Sequence, residues 1–156
     1  MDEADIDILN ELRVNARITN SKLAEKVHLS PSAVLERVKR LRASGVLKEF
    51  VARIDNSAAG YNLEVFIELK LERNLRGSSI TKALIEFPEI LEIHDVAGDC
   101  DYILKVVARD SNALRDTMRR IGAIPGVLSS NTKLVLGTFK SELSPFIEKT
   151  DRNSRK

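Results

Sequence analysis

The 156-residue chain has one cysteine, Cys100, and two histidines, His28 and His94. A single cysteine excludes an internal disulfide framework and fits a reducing compartment. Cys100, His28 and His94 are too scattered for a metal-ligand motif, so no metal is expected. No apolar run approaches the ~18 residues of a membrane span. The opening Met1-Asp2-Glu3-Ala4-Asp5 is acidic, unlike a signal peptide. The expectation is a soluble, cytoplasmic protein with no membrane partner. Gly-rich phosphate loops are missing, and no Ser/His/Asp arrangement has supporting context, so neither an enzyme nor a cofactor is expected. Net charge is only +2, too little by itself to argue for nucleic acid.

Hydrophobic residues make up 43% of the chain, enough for a core and too many for disorder. The length suits one average domain or two small ones. Charge, nearly balanced overall, is segregated locally. Arg37, Lys39, Arg40 and Arg42 follow one another with no acid among them, whereas Asp2, Glu3, Asp5 and Asp7 crowd the start.

Asp2 to Val14 has helical spacing. Ile6 and Leu9 with Arg13 mark one line and Ile8 with Leu12 another, and the early acids complement the helix dipole. Thr19 or Asn20 can cap a short second helix bearing Leu23, Ala24 and Val27. His28-Leu29 breaks it. Ser30-Pro31 starts a third helix: the Ser30 hydroxyl caps, and proline's missing N–H is harmless at the first helical position. Gly45, after Ser44, stops it. Val34, Val38 and Leu41 fall at i, i+4 and i+7 and face the other helices. Ser32, Glu36, Lys39 and Arg40 lie opposite, with Ala33 and Arg37 on a flank.

Two short helices joined by a tight break, the second with a basic outer surface, are the pattern of a helix-turn-helix. Arginine can bond a guanine edge twice, glutamate can accept from cytosine, and serine is a short adaptable partner. Ser32, Glu36, Arg37 and Arg40 are the candidates for base or nearby backbone contacts, and Ser30, Ala33 and Lys39 complete the expected DNA-binding set. Lys39, Arg40 and Arg42 suit phosphates, and the Ser30 end adds its dipole. A charged helix face in isolation is more often merely solvated; the cap-proline start and the Gly-Val-Leu exit favour DNA here. Val46 to Ile54 reads as a strand or hairpin arm, the wing, and Asp55 to Asn62 as a linker.

Leu63 to Glu72 alternates as a half-buried strand. Ser78 or Ser79 opens a helix with Ile80, Leu84 and Phe87, ended by Pro88. Ile90 to Ala97 and Asp101 to Arg109 are strands around the turn Gly98-Asp99-Cys100. Ser111 opens a helix with Leu114, Met118 and Ile121, and Val127 to Phe139 is the last strand. This β-α-β-β-α-β order predicts a ferredoxin-like sheet with helices on one side. An offset of 37, from Pro88 to Pro125, also maps Leu84 to Ile121 and Ile67 to Leu104, as two related halves would. The other sheet face has mixed polarity, which suits dimerisation unless it is simply solvated. Thr150 to Lys156 has no apolar anchor and reads as a frayed tail.

The runs Asp5-Ile6-Asp7-Ile8-Leu9, Asn15-Ala16-Arg17, Leu23-Ala24, Leu29 to Leu41, Gly45-Val46, Gly98 to Leu104 and Pro125-Gly126-Val127 together resemble the leucine-responsive/asparagine-responsive (Lrp/AsnC) transcription regulators, from about Asp5 to Lys140. The resemblance implies an α+β chain: a winged helix-turn-helix over 1–54, a linker over 55–62, a ferredoxin-like domain over 63–140 and a tail over 141–156. It implies palindromic double-stranded DNA as one partner and a homodimer, often assembled into octamers. An amino acid would bind near dimer–dimer contacts. By position, Gly98, Asp99 and Asp101 match the family's effector loop, and Thr132 and Thr138 are looser candidates. An aspartate can accept from an ammonium, and a glycine loop can expose N–H groups to a carboxylate; equally, Asp and Gly are ordinary turn residues. The rival readings are an effector-independent architectural protein and, less favoured, a tetrapyrrole decarboxylase of related architecture. On the regulator reading, Arg37→Ala weakens specific DNA binding, measured by mobility shift, and leaves the thermal melt unchanged.

Overall fold

Asp2 and Asp5 begin the first helix by capping each other. The Asp2 side chain accepts from the Asp5 amide at 2.9 Å, and the Asp5 side chain accepts from the Asp2 amide at 3.0 Å, satisfying two N–H groups left over at the helix start. In the computed structural model, which describes residues 1–72 and 79–149, this helix is α1 (Glu3–Val14), followed by α2 (Asn20–Lys26) and α3 (Pro31–Ala43). Thr19 caps α2, and Ser30 caps α3 with Pro31 in its first turn. Ile8, Leu9, Leu12, Leu23, Ala24, Val27, Val34 and Leu41 form one buried cluster. Burying each large side chain contributes roughly 1.5–3 kcal/mol, which offsets the low helical propensity of so short an α2.

The expected wing strand is not formed: Val46 to Ile54 carries neither helix nor strand. Its start is held by the Leu47 amide, which donates to the Leu41 carbonyl at 3.0 Å. Strand-like composition is insufficient without a neighbouring edge to pair with. Further on, the Asp55 carboxylate accepts from the amides of Ser57 at 2.8 Å and Ala58 at 3.1 Å, making a side-chain-stabilised turn.

A second compact unit, Arg53–Phe139, contains β1 (Leu63–Leu71), α4 (Ser79–Ile85), β2 (Ile90–Asp95), β3 (Tyr102–Ala108), α5 (Ser111–Gly122) and β4 (Val127–Leu134). The sheet is antiparallel, in the order β2-β3-β1-β4. This is the ferredoxin-like arrangement predicted from element order. Ile67 pairs with Leu104 across β1 and β3, so a residue meets its own equivalent in the repeat. Val65, Ile67, Leu69, Leu104 and Val106 pack with Ile80, Leu84 and Ile121 of the helices. β4 stops at Leu134 rather than reaching Phe139, which leaves Thr138 beyond the sheet. Ser78, the alternative start for α4, and the expected frayed tail Thr150 to Lys156 lie outside the described residues.

His28, in the turn between α2 and α3, has φ 54° and an exposed side chain. The left-handed region strains any residue with a β-carbon. His28→Gly is therefore expected to stabilise the N-terminal unit by about 0.5–1 kcal/mol, the relief exceeding glycine's entropic penalty; a thermal melt that falls instead would contradict the strain assignment.

Candidate functional site

The outer surface of α3 follows from its inner one. With Val34 and Leu41 buried, the helical period turns Ser32, Glu36, Lys39 and Arg40 outward, and all four are exposed. Lys39 and Glu36 sit 3.5 Å apart along the helix, an exposed pair worth little in stability and open to exchange for a new partner. Ser30 is committed to the cap: its hydroxyl accepts from the Ala33 amide at 3.2 Å and lies 3.1 Å from the Ser32 hydroxyl. Ala33 is half-buried. Leu35, 40% exposed, stands on the same surface and was missed by sequence reasoning; its helical position, away from the buried stripe, was the available signal. An apolar side chain there suits a thymine methyl.

Arg37 departs from expectation. It lies only about 60° around the helix from the middle of the buried stripe, and its side chain is 24% exposed. Its guanidinium donates to both Asp2 carboxylate oxygens at 2.8 and 2.7 Å and to Asp5 Oδ1 at 2.7 Å. Arg40, at 60% side-chain exposure, donates to both Asp5 oxygens at 2.8 and 3.0 Å. Asp5 itself is 2% exposed. The acids that sequence reasoning assigned to the dipole of α1 therefore also hold α3. The signal was present as two matched spacings, Asp2/Asp5 against Arg37/Arg40, both i, i+3.

The electrostatics agree with this geometry. Hydrogen bonds from Arg37, then the Asp5 amide, hold the Asp2 carboxyl down from 3.8 to about 2. Burial pushes the Asp5 carboxyl up, but the Asp2 amide and the Arg37 and Arg40 guanidiniums outweigh it and leave it lowered. Arg37 is raised in turn by its bonds to Asp2 and Asp5.

The five candidate effector residues are not brought together. Gly98 (φ 141°), Asp99 and Asp101 share the turn between β2 and β3. Asp99 is exposed. Asp101 is occupied structurally: its carboxylate accepts from the Leu71 amide at 2.8 Å and its own amide donates to the Leu69 carbonyl at 2.8 Å. Thr132 pairs opposite Ile67, several residues along the sheet, and its hydroxyl donates to Met118 Sδ at 3.7 Å. Thr138 lies past the far end of β4. An open groove of about 400 Å³ is lined by Thr81, Ile85, Ile90, Leu91, Glu92 and Ile93 and includes none of them. His94 pairs with Glu92 at 2.9 Å, on the exposed sheet edge.

Comparison with known proteins finds two kinds of domain along the chain. Residues 64–145 match the Lrp/AsnC ligand binding domain, and residues 1–48 match a winged helix-turn-helix DNA-binding domain. The chain is 34% identical over 140 residues to the HTH-type transcriptional regulator FL11 of Pyrococcus horikoshii, covering 90% of this chain and 92% of that one. It superposes on the feast or famine regulatory protein of M. tuberculosis complexed with L-methionine with a TM-score of 0.87 and 31% identity, covering 94% and 99% of the two chains. A transcriptional regulator from Neisseria meningitidis in complex with L-Met gives a TM-score of 0.84 at 28% identity, over 93% and 96%.

The carboxylate cluster sets two measurable properties. Because Asp2 and Asp5 titrate below their unfolded values, their stabilisation is complete above the ordinary value of 3.8 and disappears as pH falls through the folded value, about 2 for Asp2. Thermal stability of the N-terminal unit is expected to drop across that window, and less steeply in Asp5→Asn. Arg37→Ala, contrary to the sequence expectation, should lower stability at neutral pH by about 1–3 kcal/mol, because it strips a partner from a buried carboxylate. An unchanged melt would reverse this assignment.

Proposed function

The chain belongs to the Lrp/AsnC family of DNA-binding transcriptional regulators, and from that premise we propose that it is a cytoplasmic regulator that reads palindromic DNA as a homodimer or larger assembly and responds to an amino acid. The observation that carries the DNA-reading assignment is α3: capped, packed on one side only, and presenting Ser32, Glu36, Lys39 and Arg40 on the other. Inserted in the major groove, Ser32 and Glu36 meet base edges, Lys39 and Arg42 meet phosphates, and Arg40 can serve either if it leaves Asp5. Arg37 acts as a positioning residue that fixes the helix. A two-fold assembly would set two such helices about 34–36 Å apart on one face of the duplex.

Assembly through the open sheet face is supported by its make-up. Phe66 and Ile103 are apolar there, and the charges beside them are already paired: Lys105 lies 3.6 Å from both Glu64 and Glu92. A surface whose charges are neutralised within the chain can be covered with less desolvation penalty. For the effector, Gly98 and Asp99 are the residues of the loop still available, the glycine for close approach to a carboxylate and Asp99 as an ammonium acceptor. Methionine is the first amino acid to test, since two of the similar structures hold it. The separation of Thr132 and Thr138 from this loop favours a site completed by another copy, with an effector that shifts whichever assembly binds it better.

The test is a titration of full-length protein against a selected palindromic site and random duplex. Lys39→Ala should weaken both about equally and reduce the salt slope by about one, whereas Glu36→Ala should relax base preference at one position by roughly 1–3 kcal/mol. Equal affinity of the unmodified protein for selected and random DNA would overturn the regulator reading. Saturating methionine should raise the melting temperature, and Asp99→Ala should abolish that rise. A melt unmoved by every amino acid favours the architectural alternative.

A further inference from the structure

Residues Asp7, Asn10 and Arg13 recur every third position along α1, away from the Asp2/Asp5 cluster. Each binds the chain after β4. Arg13 donates to Glu142 at 2.8 Å and its guanidinium lies 5.9 Å from the Phe146 ring centre. The Asn10 side chain donates to the Ile147 carbonyl at 2.9 Å and accepts from the Ile147 amide at 3.0 Å. Lys149 donates to Asp7 at 2.9 Å. The order of the pairs shows that the segment lies antiparallel to α1. Asn10 satisfies both backbone groups of one residue, as a neighbouring strand would, so this grip is independent of side-chain identity. Identity is read by the rest: Ile147 packs against the buried cluster of the three helices, and charges of opposite sign flank it.

We propose that Asp7, Asn10 and Arg13 form a peptide-docking track on α1, that its occupant is segment 142–149 of the same chain, and that docking completes the DNA-reading unit. The reading unit is thus discontinuous in sequence, Met1–Ala52 plus residues 140–149 of those described, with the ferredoxin-like domain as an insertion. The segment, read from the sequence as part of a tail, is on this proposal a determinant of DNA binding. Its action passes through α1. One side of that helix carries the track, and its N-terminus holds Arg37 and Arg40 of α3. Undocking exposes Ile147 and its apolar neighbours and loosens the helix on which the arginine anchors depend.

Hydrogen–deuterium exchange on the full-length protein tests this without DNA, so its failure is distinct from failure of the DNA-reading assignment on which the functional consequence rests. Asp7→Lys should speed exchange of the amides in 141–149 and in α1 by roughly 2- to 5-fold, the range of an exposed ion pair. Combining it with Lys149→Asp should restore protection. Ile147→Asp should speed exchange at both places by more than about tenfold, leave residues 63–134 unchanged, and weaken binding to the selected site several-fold. Wild-type protection in Ile147→Asp, or no restoration by the charge-reversed pair, would overturn docking. Occupancy in cis is read by Asp7→Cys with Lys149→Cys on a Cys100→Ser background, which keeps the Asn10 and Ile147 contacts, bridged by a short bis-maleimide. An intramolecular bridge supports the proposal, and a covalent dimer would overturn it by assigning the occupant to a second copy.

Discussion

The Asp5 carboxylate is almost completely removed from water yet lies within hydrogen-bonding distance of two guanidiniums and a backbone amide. A buried charge without partners is too costly to retain, so its position dictates where those partners stand. Arg37 and Arg40 come from α3, and the angle at which α3 crosses α1 is therefore fixed by an ionic bond as well as by side-chain packing. Apolar contacts among Ile8, Val34 and Leu41 tolerate small slips of one helix on another. A two-oxygen, two-arginine geometry tolerates far less, because each hydrogen bond weakens steeply with angle. The cluster adds orientation to a small core whose stability comes mainly from buried area.

That orientation is what DNA reading requires. Base edges are distinguished by hydrogen bonds of defined length, so a helix that rocks on its support loses discrimination before it loses affinity. Basic residues on such a helix consequently fall into two groups. Arg37 is turned toward the body of the unit and holds the helix; Lys39 is turned outward, beside the exposed Glu36. Arg40 has one foot in each, bonded to Asp5 yet largely exposed. The near-zero net charge is understandable on these terms, since Asp2 and Asp5 neutralise Arg37 and Arg40 of α3 within the unit.

The periodic parts of the fold were legible in the sequence. Ser30-Pro31, the i, i+4, i+7 spacing of Val34, Val38 and Leu41, and the alternation of Leu63 to Leu71 each encode a local geometry, and each appears where the spacing put it. Strand ends were less legible. Val46 to Ile54 and Val135 to Phe139 have residues that suit a strand, but a strand exists only with a partner edge, and none of the periodicity says whether one is near. The site was legible in outline: spacing separated the outward face of α3 from its inward face. It did not locate Arg37, which sits on the boundary between them, where a long side chain turns toward whichever neighbour has the complementary charge. Asp101 and Thr132 show the same limit, since a turn carboxylate and a strand hydroxyl read alike whether they await a ligand or satisfy the protein's own groups.

Sequence alone determined the helix starts, the buried stripes, the order of elements and the family to which they belong, because caps and periodicities act over three or four residues and leave their mark in the chain. Tertiary structure decided which charges are spent within the protein and which remain for a partner. Asp5 and Arg37 are separated by 32 positions, and Asn10 and Ile147 by 137. Pairings at such distances depend on where packing brings two surfaces together, and no local pattern records that.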